Sequence, residues 1–175
     1  PFRVNAMPSY STSTTYANAL AGQPIFVWGN ANDGNAPYTY FLDYGDGSSD
    51  TGNVTNTRLI GANHTYALAG NKIMKLKVYD AIGQMRQDSS VIRVYAAATT
   101  TINVNMAIEK GLLYLYQNQY ADGHWVDNSN VKASTGAALL CFEENGHKPT
   151  NDFDRDIYAE YVRTGLNYLL SGASQ

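Results

Sequence analysis

Tyr38-Thr39-Tyr40-Phe41-Leu42-Asp43-Tyr44-Gly45-Asp46-Gly47 is an apolar run that ends in a cluster of aspartates and glycines. Such a run reads as a strand entering a tight turn. Gly45 and Gly47 take φ > 0 at little cost, and short Asp43 and Asp46 side chains bond nearby backbone N–H groups. The following Ser48 to Asn56 is polar throughout and is expected to be a loop.

Working outward, Ile25-Phe26-Val27-Trp28 is an apolar strand entered through Gly22-Gln23-Pro24, and Asn30 to Pro37 reads as a loop by composition. Thr57-Arg58-Leu59-Ile60 is a further strand candidate. In Ile73-Met74-Lys75-Leu76-Lys77-Val78-Tyr79, Met74, Leu76 and Val78 alternate with lysines, the period-two pattern of a half-buried strand. Asp80-Ala81-Ile82-Gly83 is a turn, and Ser89 to Tyr95 completes the set. Short strands broken by turn signals imply an all-β sandwich. Pro1 to Tyr16 has no evident place in it. That stretch is expected to be an extended terminus, or a strand offered to another subunit's sheet edge.

Leu42-Asp43-Tyr44-Gly45-Asp46-Gly47, His64-Thr65-Tyr66, Gly70 and Leu76-Lys77-Val78-Tyr79-Asp80 together resemble a PKD (polycystic-kidney-disease-type) domain over about residues 17–95. The three parts occur in the family's order, with Leu42 where the family usually has Trp and Lys72 where it often has Tyr. The resemblance implies an immunoglobulin-like sandwich, usually extracellular and non-catalytic, with Asp43, Gly45, Asp46, Gly47, His64 and Tyr66 as its structural motif.

After the small-residue junction Ala96-Ala97-Ala98-Thr99-Thr100-Thr101 the apolar period changes to that of helices. Helices are expected over Val104–Tyr120, from a Ser134-Thr135 cap to Asn145-Gly146, and over Ile157–Leu170 with Gly172 as stop. Lys110-Gly111-Leu112-Leu113-Tyr114-Leu115 recurs as Thr164-Gly165-Leu166-Asn167-Tyr168-Leu169, the glycines 54 positions apart. With Gln119, Gly123 and Trp125, the first copy resembles the QW motif of terpene cyclases and related α/α-toroid proteins, in which such residues are structural. The chain holds about one and a half such repeats. The fold class expected is therefore α+β multidomain: an extended segment 1–16, a PKD-like sandwich 17–96, a linker 97–103 and an incomplete toroid-like helical domain 104–175.

The 175 residues carry a net charge of -3, which argues against binding nucleic acid through phosphates. No apolar run approaches the ~18 residues of a membrane helix. The single cysteine, Cys141, excludes an intrachain disulfide and sits in an apolar helical run, where it is expected to be core. The given stretch begins at Pro1 and shows no signal-peptide pattern, as expected of a processed product or a piece of a longer chain. Asn53 and Asn63 head N-glycosylation sequons.

Chemistry has few candidates. Asp33, Asp43, Asp46 and Asp50 could hold Ca²⁺ if loops gather them, although Asp43 and Asp46 also suit the turn. Asp152, Asp154 and Asp156 match neither a calcium loop nor the toroid cyclases' acid motif, and suit a helix N-terminus. His64, His124, His147 and Cys141 show no zinc spacing. No nucleophile motif is present. The function expected is a non-catalytic extracellular structural or adhesion module without a resident cofactor, self-assembling or bound to another surface protein. The alternatives are a fragment of a larger toroid protein or enzyme, and a glycan-binding accessory module that uses its tyrosines as stacking platforms.

Overall fold

A computed structural model describes residues 2–126 and 130–171. The chain forms two compact units. One comprises Pro1–Ser9 and Thr15–Ala107, the other Tyr10–Thr14 and Ile108–Gln175.

The first unit is a sandwich of two sheets. β1 (Arg3–Ala6), β3 (Pro24–Asn32) and β6 (Ile60–Thr65) form one, in the order β1-β3-β6, all antiparallel. β2 (Tyr16–Leu20), β8 (Met85–Tyr95), β7 (Gly70–Tyr79), β4 (Tyr38–Asp43) and β5 (Ser49–Val54) form the other, in the order β2-β8-β7-β4-β5. Only the β2–β8 pair is parallel there. Between the sheets lie Val4, Val27 and Ile60 from the first and Leu42, Met74, Leu76, Val78 and Ile92 from the second, all buried. The alternation of β7 is realised directly, with Met74, Leu76 and Val78 inward and Ile73, Lys75 and Tyr79 exposed. Gly29, inside β3, has no room for a side chain against its own sheet or the facing one. A Cβ there would stand 2.3 Å from the Asn5 carbonyl and 2.6 Å from a Leu76 methyl.

The N-terminal expectation is corrected. Arg3–Ala6 pairs with Gly29–Asn32 of its own chain, burying Phe2, Val4, Ala6 and Met7, so this segment is not a strand held out for a neighbour. The Ala6 N–H also donates to Asp88 on the opposite sheet at 2.8 Å. The signal was obscured because the first strand is split. β1 joins one sheet, Pro8 and a polar stretch interrupt, and β2 joins the other. Ser48–Asn56 is corrected too: Ser49–Val54 is an edge strand paired with β4, and with no buried residue it has no apolar pattern to read. β3 runs on to Asn32, into the stretch read as loop. The Thr57–Ile60 candidate is corrected as well: only Ile60 of it is in a strand, β6, which runs on to Thr65.

After the strands the described residues form three helices, α1 (Thr100–Gln117), α2 (Val131–Glu144) and α3 (Ala159–Ser171). α1 begins inside the stretch read as a linker. In the second unit, Tyr116 of α1 meets Tyr158 and Tyr161, while Phe142 of α2 meets Trp125 and Tyr158. α2 is capped by Asn130, whose side chain accepts from the Ala133 N–H at 3.2 Å, not by Ser134-Thr135. The proposed stop at Gly172 lies outside the described residues.

Phe2→Ala is expected to lower the unfolding free energy by about 3–5 kcal/mol in urea titration, as removal of a buried aromatic does. A loss below about 1 kcal/mol would mean that the terminus adds nothing to the sandwich core.

Candidate functional site

In the sandwich, the aspartate-glycine turn and the histidine-tyrosine strand meet in one corner. Asp43 accepts from the Gly45 N–H at 2.8 Å, and Asp46 accepts from the Ser48 N–H and hydroxyl at 3.1 and 2.6 Å. His64 Nε2–H donates to the other Asp46 oxygen at 2.7 Å. The His64 ring stacks on Tyr44 at 4.0 Å and meets the Tyr66 edge at 4.6 Å. The Tyr66 hydroxyl donates to the Tyr44 carbonyl at 3.0 Å, closing the loop. Burial opposes the ionised Asp46 carboxylate, but the bonds from Ser48 and His64 outweigh it and hold its pKa at about 2. Burial, followed by the nearby Asp46 charge, pushes the Tyr66 phenol well above its ordinary range.

Gly45 and Gly47 both have positive φ, +77° and +95°, for different reasons. A Cβ on Gly45 would lie 2.5 Å from the Ile73 carbonyl oxygen, whereas one on Gly47 would meet nothing within 4 Å. Gly45 is therefore fixed by a close backbone approach, and Gly47 by backbone conformation alone.

The calcium reading is corrected by the same geometry. Asp33 pairs with Arg3 at 3.4 Å, and Asp50 accepts from the Tyr40 hydroxyl at 3.0 Å and the Thr51 N–H at 2.9 Å. Asp43 and Asp46 serve the turn. Among the described residues, no three His, Cys, Asp or Glu side chains are gathered to hold a metal ion. The sequon residues Asn53, on β5, and Asn63, on β6, are both exposed.

Two carboxylates read from the sequence only as turn and helix-end residues are buried. Asp80 sits at the β7–β8 turn and accepts from the N–H groups of Asn35, Ile82 and Gln84, tying the β3–β4 loop to that turn. Its pKa is lowered because these hydrogen bonds, with one from the Asn35 side chain, outweigh its desolvation. Its place after the alternating strand was the available signal. Asp156, in the second unit, accepts from His147 Nδ1–H at 2.9 Å, the Asn151 amide at 2.8 Å and the Tyr158 N–H at 3.1 Å. Desolvation opposes its ionised form, yet the His147 bond and charge prevail and lower its pKa. The three-aspartate run is thus no uniform helix-end charge. Asp156 is buried against His147, Asp152 turns back onto the Asp154 N–H, and α3 begins only at Ala159.

The Gln119, Gly123 and Trp125 set braces the helical unit. Gln119 donates to the carbonyls of Gly123 and Tyr161, both at 2.9 Å, joining the end of α1 to α3. Trp125 is buried, and its indole N–H donates to the Leu115 carbonyl at 2.7 Å. Ser134 and Thr135 lie inside α2, where their hydroxyls bond the Trp125 backbone, which is why they do not cap the helix. A Cβ on Gly165 would stand 2.8 Å from the Trp125 ring, while one on Gly111, its partner in the repeat, would meet nothing within 4 Å. Cys141 is exposed rather than core. It lines an open groove of about 370 Å³ between α1 and α2, with Tyr114, Leu115, Trp125, Val126 and Ala137.

No family model matches the chain, and no curated protein matches it. The solved structures similar to it include PKD domains. That of an M14-like peptidase from Thermoplasmatales archaeon SCGC AB-540-F20 is 16% identical, with a TM-score of 0.41, covering 53% of this chain and 91% of that one. That of the human VPS10 domain-containing receptor SorCS2 is 12% identical, with a TM-score of 0.43, covering 56% and 75%. The PKD1 domain of the Vibrio cholerae metalloprotease PrtV is 17% identical, with a TM-score of 0.34, covering 53% and 93%. The sandwich itself is established by the chain's own strand pairing. Among the described residues, no helix is long and apolar enough to cross a membrane.

Gly47→Ala is expected to cost about 1–2 kcal/mol, the left-handed penalty alone. Gly45→Ala adds a backbone clash, on the order of 1–3 kcal/mol more. Equal losses in parallel urea titrations would contradict the close approach at Ile73.

Asp46 has a folded-state pKa below its unfolded value of about 3.9, so its ionised form stabilises the fold above that value. The contribution is lost as pH falls through about 4 toward 2. After solvent screening it amounts to roughly 1 kcal/mol. Asp46→Asn should therefore lower the Tm at pH 7, and the gap to wild type should close between about pH 4 and pH 2. A gap unchanged across that window would separate the carboxylate's charge from the corner's stability.

Proposed function

We propose that this chain is a non-catalytic, extracellular structural or adhesion module, in which a PKD-type sandwich accompanies a toroid-like helical repeat unit that binds another helical segment. The observation that carries the reading is the contrast between the two repeat glycines. Gly165 lies beneath Trp125, whereas Gly111 faces open space on α1. A glycine within a helix costs about 1 kcal/mol relative to alanine and is offset where another element approaches closely. One such approach is filled within the chain and the other is empty. Exposed Tyr114 and Leu140 beside the groove add apolar area that suits an interface.

The acidic and imidazole groups of both motifs are engaged in holding turns and loops, which favours scaffolding over catalysis. Exposed sequons and the low charge fit an exported surface protein. Because β1 is paired within its own sheet, self-assembly through a donated terminal strand is no longer argued, and the α1 face carries the proposal. The second reading, a piece of a longer repeat protein, draws on the same empty glycine, since a further repeat could supply the missing neighbour.

Sedimentation of the full chain over a wide concentration range tests the first reading. Self-association is expected, and Gly111→Leu should weaken it at least several-fold while leaving the Tm unchanged or raised, because leucine is the better helix former. A chain that stays monomeric at high concentration rejects self-assembly and leaves the longer-protein reading.

A further inference from the structure

We infer that the outer face of the five-stranded sheet is a binding platform for an anionic polysaccharide of the polyuronate class. The inference rests on the non-catalytic module reading and gives it a ligand. Register places Phe41 of β4 directly opposite Lys77 of β7, and Thr39 opposite Tyr79. On β8, Tyr79 faces Met85 and Lys77 faces Gln87. Residues directly opposite share a face, so these side chains stand outward together. Phe41, Ile73, Tyr79 and Met85 are 42%, 55%, 41% and 39% exposed, while Leu42, Leu76 and Val78 on the other face are fully buried. Phe41, Tyr79 and Met85 gather at one end of this face, more apolar area than a solvated sheet face needs, and Ile73 stands farther along β7 beyond Lys75 and Lys77.

The chemistry of the patch selects its occupant. Phe41 and Tyr79 lie on a cross-strand diagonal, on the order of 7–8 Å apart. Their rings offer flat, electron-rich faces suited to the C–H faces of sugar rings. Lys75 and Lys77 stand on the same strand and the same face, roughly 7 Å apart by strand geometry. Neither ammonium has an ion-pair partner among the described residues. The carboxylate opposite Lys75, that of Asp43, is bonded to the Gly45 N–H. Thr39 and Gln87 supply hydroxyl and amide groups at the edges of the patch. A polymer with alternating apolar sugar faces, hydroxyls and carboxylates complements all three features. A second copy docked face to face about a two-fold axis would bring the lysines of both copies into one patch, which disfavours that occupant.

Affinity electrophoresis of the full chain through gels containing polygalacturonate tests the assignment, with hydroxyethylcellulose as the neutral control. Retardation by polygalacturonate is expected, decreasing as salt rises because the lysine contribution is screened. The double variant Lys75→Glu/Lys77→Glu should bind roughly tenfold or more weakly, through lost attraction and new repulsion. Phe41→Ala and Tyr79→Ala should each weaken binding several-fold, and Lys75→Arg/Lys77→Arg should retain it. Phe41, Lys75 and Tyr79 are exposed and Lys77 is half-buried, and thermal scans confirm that each variant is folded. No retardation by polygalacturonate overturns the assignment. So does retardation indifferent to these variants, equal retardation by the neutral polymer, or capture only by phosphatidylserine vesicles or by oligo(dT). Release of new reducing ends from the polymer would instead sink the non-catalytic reading while leaving the platform in place.

Discussion

Gly45 stands where a Cβ would touch the backbone of Ile73, and the arrangement of the sandwich corner depends on that close approach. The chain passes from β4 into the turn with Leu42 buried behind it, so the turn cannot move outward without uncovering core. Asp43 and Asp46 satisfy the backbone N–H groups that the reversal exposes. His64 and Tyr66, from β6 and its end, then lock the turn from the other sheet. Each contact is modest alone, but they share residues, and the Tyr66 bond to the Tyr44 carbonyl among them is buried.

The second unit repeats this logic with different atoms. Trp125 fills the space left by Gly165, and its backbone and indole are held by Thr135, Ser134 and the Leu115 carbonyl. Gln119 reaches from the end of α1 to a carbonyl of α3. His147 and Asp156 fasten the loop between α2 and α3 from within. In both units the residues that look most chemical in the sequence are spent on joining elements. Exposed apolar and aromatic side chains remain at the α1–α2 groove in one unit and, beside Lys75 and Lys77, on the outer sheet face in the other.

Much of this was legible in the residues. The alternation of Met74, Leu76 and Val78 gave β7 and its buried face, and the Asp/Gly cluster gave the turn and the positive φ of two glycines. The change of period after Ala96 separated strands from helices. These features are local, so a window of a few residues contains their cause. β5 was not legible, because an edge strand with no buried residue needs few apolar side chains and shows no apolar period. Cys141 was misplaced because its apolar helical neighbours do not reveal which face of α2 is covered.

The sequence by itself determined the elements whose hydrophobic period or turn chemistry lies within them: β4 and its turn, β7, β8 and the bodies of the three helices. Only the tertiary structure decided which partners the unpatterned segments took. Residues 3–6 lie at an edge of one sheet and residues 16–20 at an edge of the other, each taking the unpaired backbone groups of a strand distant in sequence. Tertiary structure likewise decided that Asp46 faces His64 across 18 positions and Asp156 faces His147, and that the calcium candidates stay apart. Such pairings follow from the packing of distant segments, whose cost and gain are settled only when the whole chain closes.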